Sequence, residues 1–147
     1  MKSPTISVII STYNQPEWLR KTLLGYQYQT FDSFEIVIAD DGSDDRTKTV
    51  IEQFKTQTAL RIIHVWHEDK GFQKTTILNK AILVSNADYL IFTDGDCIPR
   101  NDFVAVHHQK RTPSSFLSGG YFKLPKTISD LITESDIKSQ ACFDPKW

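Results

Sequence analysis

The chain has 147 residues, a length typical of one domain and sufficient to bury a hydrophobic core. Hydrophobic residues make up 39% of the sequence and charged residues 24%, a balance that excludes a disordered or fibrous protein. The formal net charge of −1 gives no general attraction to nucleic acid or to anionic lipid. Any anion that binds must therefore be held by local contacts.

The cysteine content and the hydropathy of the chain bear on its location. Cys97 and Cys142 are too few and too isolated for a disulfide framework or a zinc site, which favours a reducing compartment. The apolar run at 6–10 is too short for a signal-peptide core or a membrane span. We therefore expect a cytoplasmic protein with no transmembrane segment. The alternative is a peripheral position at the inner face of the membrane, with membrane-associated partners or further domains.

Short apolar segments alternate with segments of helical periodicity. The apolar segments predict four strands buried on both faces of a parallel sheet, at 5–12, 34–39, 60–66 and 89–93. The segments between them predict three helices. Such a series requires right-handed crossovers, so the predicted fold class is α/β, with a Rossmann-like, doubly wound, mostly parallel sheet and helices on both faces.

Polar residues predict where these helices begin. Asn14 is expected to cap the first helix, with Glu17 completing a capping box and Pro16 in the first turn. Ser43 is expected to cap the second helix, and the third is expected to begin near Gln73.

The sequence becomes less regular beyond the fourth predicted strand. It predicts a helix, a strand and a second helical stretch, at 101–110, 116–124 and 128–140. Two aromatic residues of the earlier strands, Trp66 and Phe92, are expected in the core. His64 and His67 are three apart on a strand and so face opposite sides, which argues against a metal site between them.

Polar side chains are concentrated where the four predicted strands end. These segments are 11–14 (Ser-Thr-Tyr-Asn), 40–43 (Asp-Asp-Gly-Ser), 67–71 (His-Glu-Asp-Lys-Gly) and 94–96 (Asp-Gly-Asp). Ligands of open α/β sheets bind beyond the carboxyl ends of the strands, so the acidic residues should converge on one rim. The glycines form neither a G-x-G-x-x-G nor a G-x-x-x-x-G-K-[ST] pattern, and neither of these phosphate-binding loops is present.

Asp94 and Asp96 alternate with Gly95 directly after a buried strand, which points both carboxylates to one side of an extended backbone. Two hard oxygen ligands suit Mg²⁺ or Mn²⁺ that also holds substrate phosphates, so the motif predicts a metal-bound diphosphate. The alternative for 94–96 is an ordinary turn, and the alternative for 40–43 is helix capping. Tyr13 can stack on a base, and Asp40 can accept the imide N–H of uracil.

Four ordered motifs resemble those of the family 2 glycosyltransferases with the GT-A fold: 11–14, 40–44, 71–82 (GFQKTTILNKAI) and 94–96. The resemblance covers about residues 5 to 100. It implies an inverting transferase that takes a sugar from a nucleotide-diphosphate donor, commonly UDP-linked, with Mn²⁺ or Mg²⁺ as cofactor. The implied acceptor is a glycan or a lipid-linked molecule, in polysaccharide or surface-glycan synthesis.

The resemblance also implies roles for individual residues. The implied nucleotide- and donor-binding residues are Thr12, Tyr13, Asn14, Asp40, Asp41, Ser43, Gln73, Lys74, Asn79, Asp94 and Gly95. The implied metal ligands are Asp96 and Asp94. Within this set Asp40 matches the acid that reads the base, and Lys74 is the nearest cation for the diphosphate.

The sequence departs from the commoner family pattern at Leu78, where an Arg usually precedes the residue matched by Asn79. The spacing of this segment is more similar to the branch that contains chondroitin-polymerase-type and galactosyltransferase-like domains. We expect a single GT-A domain at 1–147, in which 1–100 form the nucleotide-sugar-binding half and 101–147 begin the acceptor-side region.

Inverting transfer needs a base for the acceptor hydroxyl, and a carboxylate is the usual choice. The family's Glu-Asp or Asp-Asp motif for this base is absent after Asp96, so we expect the base outside this chain, in a longer enzyme. One alternative is a small domain that binds nucleotide sugar without transferring it. A remote alternative is a phosphoacceptor receiver domain, which would need acids after the first strand, where this chain has 11–13 (Ser-Thr-Tyr).

Overall fold

Four parallel strands form the sheet of this protein. The computed structural model describes residues 3–144, so the ends of the predicted domain, 1–2 and 145–147, lie outside the described residues. The strands are β1 (Ile6–Thr12), β2 (Phe34–Asp40), β3 (Arg61–Trp66) and β4 (Tyr89–Asp94). Their order in the sheet is β3-β2-β1-β4, and all three pairings are parallel. The predicted α/β class and the predicted strands are confirmed.

Helices connect the strands and cover both faces of the sheet. The crossovers are α1 (Pro16–Gln27), α2 (Asp45–Gln57) and α3 (Lys74–Val84), and α4 (Phe103–Lys110), α5 (Lys126–Leu131) and α6 (Glu134–Ser139) follow β4. A 3₁₀ turn at Ala141–Phe143 ends the described chain. No helix within residues 3–144 is long and apolar enough to cross a membrane.

The two faces of the sheet have separate cores because successive strand residues point to opposite sides. The larger core contains Val8 and Ile36 from the sheet, with Leu23 of α1 and Ile51 of α2 packed on them. The smaller core lies beneath α3 alone and consists of Ile9, Val37, Ala39, Ile77 and Ala81. The α3 helix is therefore the element that brings polar groups to the carboxyl end of the sheet on this face.

Position in the sheet decides how deeply each strand is buried. Every residue of the central strands β1 and β2 is buried, whereas β3 and β4 are the edge strands and are partly exposed. Trp66 and Phe92 are each 52% exposed, so the prediction that they lie in the core is wrong. The apolar patterns of central and edge strands are similar, and only the strand order separates them.

The predicted caps of the first two helices are wrong. The N-cap of α1 is Gln15, which makes no side-chain capping bond, and Pro16 is the first helical residue. The N-cap of α2 is Asp44, whose carboxylate accepts from the N–H of Arg46. Asn14, at φ +49°, instead donates its N–H to Ser43 Oγ (2.8 Å) and accepts at Oδ1 from the N–H of Asp44 (2.9 Å). These bonds tie the loop after β1 to the loop after β2.

The chain beyond α4 differs from the prediction in two places. The predicted strand at 116–124 does not form, because no strand of the described sheet pairs with it, and its aromatic residues Phe116, Tyr121 and Phe122 are exposed. The predicted helix at 128–140 is divided into α5 and α6. Thr133 interrupts it by capping a new helix, in a capping box with Asp136.

The strand order also excludes the receiver-domain alternative. In the flavodoxin-like order of receivers, β1 lies between β2 and β3. Here β1 lies between β2 and β4, and β3 is an edge strand beside β2.

Candidate functional site

A cavity of about 350 Å³ opens at the carboxyl end of the sheet. Segments that are far apart in sequence line it: the end of β1, the loop after β2, the segment that leads into α3, and the end of β4. The predicted site residues on its wall are Thr12, Tyr13, Asp41, Lys74, Asp94, Gly95 and Asp96. The expected convergence of acidic residues on one rim is therefore present in the fold.

The end of β4 is fixed to the end of β1. Asp94 lies opposite Ser11 in the parallel register, and Ser11 Oγ donates to Asp94 Oδ1 at 2.6 Å. The N–H of Gly95 donates to Ser11 O at 2.8 Å, and Thr22 Oγ1 donates to Gly95 O at 2.9 Å. A Cβ at Gly95 would lie 3.0 Å from Ser11 O and 3.2 Å from Thr12 Oγ1. Only glycine fits this close approach without displacing its neighbours.

The turn that follows β4 presents the two predicted metal ligands. The N–H of Cys97 donates to Asp94 O at 3.2 Å, so the turn alternative for 94–96 describes the backbone correctly. The turn leaves the side chains of both Asp94 and Asp96 at the cavity wall. The backbone of residues 94–96 can therefore form a turn while the two carboxylates remain available as metal ligands.

Lys74, the first residue of α3, forms an ion pair with the first aspartate of this motif. Its Nζ lies 2.6 Å from Asp94 Oδ1, the oxygen that also accepts from Ser11. The Lys74 ammonium and, after it, the Ser11 hydroxyl hold the pKa of Asp94 below its usual value.

The two acids after β2 have different environments. Asp40 is 1% exposed, and its Oδ1 accepts from the N–H of Ser43 (2.9 Å) while its Oδ2 is hydrogen-bonded to His64 Nε2 (2.8 Å). Asp40 does not line the cavity, whereas Asp41 does; the base-reading role of Asp40 stays a prediction. The carboxylate of Asp41 is hydrogen-bonded to His67 Nε2 (2.7 Å) and accepts from the N–H of Gln73 (2.9 Å).

The two histidines that support these acids were not predicted as part of the site. His64 lies on β3 and His67 directly follows it, and each contacts a different aspartate. The available signal was their position near the end of the strand that neighbours β2. Their roles are structural, because each holds the carboxylate of one aspartate, Asp40 or Asp41, in place.

Aromatic side chains border the cavity on the side of the loop before α3. Tyr13 OH donates to Asp69 Oδ2 at 2.9 Å, and this bond raises the pKa of Tyr13. The N–H of Gly71 donates to Asp69 Oδ1 at 3.0 Å; this bond and then the one from Tyr13 lower the pKa of Asp69. The next residue, Phe72, lines the cavity and is 88% exposed. Phe72 was not predicted; an aromatic residue directly after a loop glycine was its only sequence signal.

Several predicted donor-binding residues do not line the cavity: Asn14, Asp40, Ser43, Gln73 and Asn79. Asn14 and Ser43 hold the loops after β1 and β2 together, and the backbone of Gln73 anchors the start of α3 to Asp41. Asn79 is exposed on α3. Their contacts with a donor stay predictions.

The donor set at the end of β4 suits a hard divalent cation. Within residues 3–144, no group of three or more His, Cys, Asp or Glu side chains is arranged to hold a metal ion. Mg²⁺ and Mn²⁺ sites that also bind phosphates commonly use one or two carboxylates, with phosphate oxygens and water as the other ligands. Asp94 and Asp96 supply two such carboxylates at the cavity wall, so these residues fit a site in which the metal ion is held jointly by the protein and by a phosphate group.

Comparison with known proteins gives the family. The model of glycosyl transferase family 2 matches residues 7–110, which include β2, β3 and β4, all of β1 except Ile6, and the residues that line the cavity. The chain belongs to glycosyl transferase family 2. This confirms the resemblance drawn from the strand-end motifs; the branch within the family stays a prediction.

Curated relatives of this family 2 chain are longer proteins. Validoxylamine A glucosyltransferase of Streptomyces hygroscopicus subsp. jinggangensis (strain 5008) is 37% identical over 93 residues, which are 62% of this chain and 22% of that protein. Hyaluronan synthase of Pasteurella multocida is 30% identical over 95 residues, 64% of this chain and 10% of that protein. The chain thus spans a minor part of the length of these relatives.

Solved structures confirm the GT-A fold. The mannosyltransferase from Pyrobaculum calidifontis in complex with GDP-Man and Mn²⁺ aligns with a TM-score of 0.59 and 25% identity, over 71% of this chain and 31% of that one. TarS of S. aureus in complex with UDP-GlcNAc aligns with a TM-score of 0.60 and 24% identity, over 71% of this chain and 30% of that one.

Proposed function

We propose that this family 2 chain carries the donor site of an inverting, metal-dependent glycosyltransferase. The donor is a nucleoside-diphosphate sugar, UDP-linked, and the acceptor is a hydroxyl group of a glycan or lipid-linked molecule, in polysaccharide or surface-glycan synthesis. The observation that carries the proposal is the cavity lined both by Lys74, Asp94 and Asp96 and by the aromatic side chains Tyr13 and Phe72. A nucleoside diphosphate has the matching chemistry, since it joins a stacking base to an anionic diphosphate.

Each part of the donor has a counterpart on the cavity wall. Tyr13 and Phe72 offer aromatic surface for the base, and Asp41 offers a carboxylate for its N–H groups. Lys74 offers a cation for the diphosphate. Asp94 and Asp96 would hold Mn²⁺ or Mg²⁺, which when bound supplies charge neutralisation for the diphosphate leaving group. The mannosyltransferase with GDP-Man and Mn²⁺ supports this type of site in a related fold.

In the transfer itself, the acceptor oxygen attacks the anomeric carbon from the side opposite the diphosphate. The bond from that carbon to the phosphate oxygen breaks, and a base takes the hydroxyl proton. No acidic side chain between Cys97 and Asp144 lines the cavity, so we assign no base within the described chain. The assignment of 1–100 to donor binding and of 101–147 to the acceptor side is part of the same proposal.

Calorimetric titration of UDP with and without Mn²⁺ tests the donor site. The wild-type chain should bind UDP more tightly with Mn²⁺, and Asp96→Ala should remove this dependence. Asp88→Ala is the matched control, because Asp88 is an exposed aspartate directly before β4, at the opposite end of the strand. Equal UDP affinity with and without Mn²⁺ would refute the proposal, whereas tighter binding of GDP than of UDP would change only the base.

A non-catalytic nucleotide-sugar-binding domain is the second candidate. It is favoured by the absence of an acidic side chain on the cavity wall after Asp96 in the described chain. Metal-dependent UDP binding without hydrolysis of any UDP-sugar, and without transfer to added glycans, would support it over the transferase.

A further inference from the structure

Lys74 is bonded to a residue that the proposed function assigns to a metal ion. Its ammonium is 2.6 Å from Asp94 Oδ1, and both side chains are partly exposed at the cavity. The same ammonium is the cation on the cavity wall that the proposed function assigns to the diphosphate. A diphosphate bound in the cavity would be a second anion within reach of Lys74, so the partner of Lys74 can change with what the cavity holds.

Asp94 is fixed, whereas Lys74 can move. The carboxylate of Asp94 is held by Ser11 Oγ at 2.6 Å, on a strand end that is itself paired with β1. Lys74 belongs to the first turn of α3 and carries its charge on a flexible four-carbon stem. An exchange of partners at this pair would therefore need only a rotation of the Lys74 side chain.

Electrostatics make the two cations competitors for Asp94. A divalent ion and an ammonium on one carboxylate lie a few ångströms apart, where like charges repel strongly in a partly desolvated site. A diphosphate removes this conflict because it accepts the ammonium and adds negative charge next to the ion.

We propose that Lys74 is the counter-ion of Asp94 in the free protein and moves to the donor's diphosphate when metal and nucleotide bind. This inference rests on the proposed donor site and adds a property to it. Metal alone binds weakly because Lys74 occupies Asp94, and the nucleotide makes metal binding favourable by taking Lys74 away. By thermodynamic linkage, the metal increases the affinity for the nucleotide by the same factor.

Mn²⁺ binding measured by electron paramagnetic resonance of the free ion tests this role without any turnover. It is carried out on the full chain with and without UDP, for wild type and Lys74→Met, and the Mn²⁺ that UDP binds without protein is measured separately and subtracted. In the wild type, UDP should tighten Mn²⁺ binding by about 10-fold or more, within the usual range of coupling between sites. In Lys74→Met, Mn²⁺ alone should bind more tightly than to the wild type. The enhancement by UDP should be several-fold smaller than in the wild type, because direct contact between metal and diphosphate remains and only the release of Asp94 by Lys74 is lost.

Two further variants separate the exchange from a general charge effect. Lys126→Met removes a surface lysine that is also 2.6 Å from an aspartate, Asp130, away from the cavity, and should behave as the wild type. Lys74→Arg keeps the charge and should keep most of the enhancement. The proposal is overturned if Lys74→Met leaves Mn²⁺ binding without UDP unchanged or weaker, or if it retains the wild-type enhancement.

These outcomes are distinct from failure of the donor site. If wild-type UDP binding is independent of Mn²⁺, the proposed function fails and the move to a diphosphate fails with it. Mn²⁺ binding without UDP still decides whether Lys74 competes for Asp94. If the wild type and Asp96→Ala behave as proposed and Lys74→Met has no effect, only the counter-ion role is wrong.

Discussion

Gly42→Ala should destabilise the protein by separating the two loops that shape the cavity. Gly42 follows Asp40 and Asp41 and has φ +92°, and a Cβ there would lie 2.6 Å from Asp69 Cα and 2.7 Å from Asp69 N. These are backbone atoms, so no side-chain rotation relieves the contact. Asp69 also accepts the bond from Tyr13, and its displacement should disturb that wall of the cavity.

The size of the effect has two parts. A left-handed backbone conformation costs an alanine about 1–2 kcal/mol, and overpacking typically costs about 1–3 kcal/mol more. Gly71 is the matched control, because it has φ +83° but no atom within 4 Å of an added Cβ. Gly71→Ala should therefore cost about 1–2 kcal/mol and Gly42→Ala about 2–5 kcal/mol.

Urea unfolding followed by tryptophan fluorescence measures both variants against wild type. Each kcal/mol should also lower the melting temperature by about 2–4 °C for a chain of this size. Gly42→Ala should in addition weaken UDP binding in the presence of Mn²⁺. If Gly42→Ala is as stable as Gly71→Ala, the packing of Asp69 against Gly42 does not hold the loops together and the reasoning is refuted.

Two other predictions concern a buried acid and the aromatic wall. Glu35 is fully buried and accepts from Ser7 and Asn86, so Glu35→Ala should lower the free energy of unfolding by about 2–4 kcal/mol. Arg61→Met removes the half-exposed ion partner but keeps those hydrogen bonds to the buried carboxylate, so it should cost less, about 1–2 kcal/mol, by the same urea assay. A larger loss for Arg61→Met than for Glu35→Ala would contradict this. Tyr13→Ala should weaken UDP binding by about 1–3 kcal/mol because stacking on the base is lost, whereas Tyr13→Phe should retain most of the affinity. Calorimetry measures both affinities. If the two variants bind UDP equally, stacking is not the role of the ring.

The sequence was sufficient to predict the alternation of strands and helices. It was also sufficient to predict which end of the sheet carries the site. The apolar runs predicted as strands at 5–12 and 34–39 became β1 and β2, which are fully buried, as expected of nearly continuous apolar runs in a parallel sheet. The Asp-Gly-Asp motif and Lys74 were found at the cavity for a related reason, since parallel strands all end at the same edge.

Strand order and loop conformation were decided by the tertiary structure. Trp66 and Phe92 are half exposed because β3 and β4 are edges, and the segment 116–124 forms no strand because a strand requires a paired neighbour. Nothing in the order of residues 40 and 41 reveals which aspartate faces the cavity. Asp40 ends β2 and is buried, whereas Asp41 follows the strand and reaches the cavity. His64 and His67 meet these two carboxylates only once β3 has paired with β2.

The sequence by itself thus determined which residue types collect at the carboxyl end of the sheet, because that depends on chain polarity and on local patterns. The tertiary structure alone decided which of them support the cavity and which face it, and it added Phe72 to the wall. The physical reason is that a side chain's direction and burial are set by contacts between segments far apart in sequence. Asp41 with His67 and Lys74 with Asp94 are such contacts.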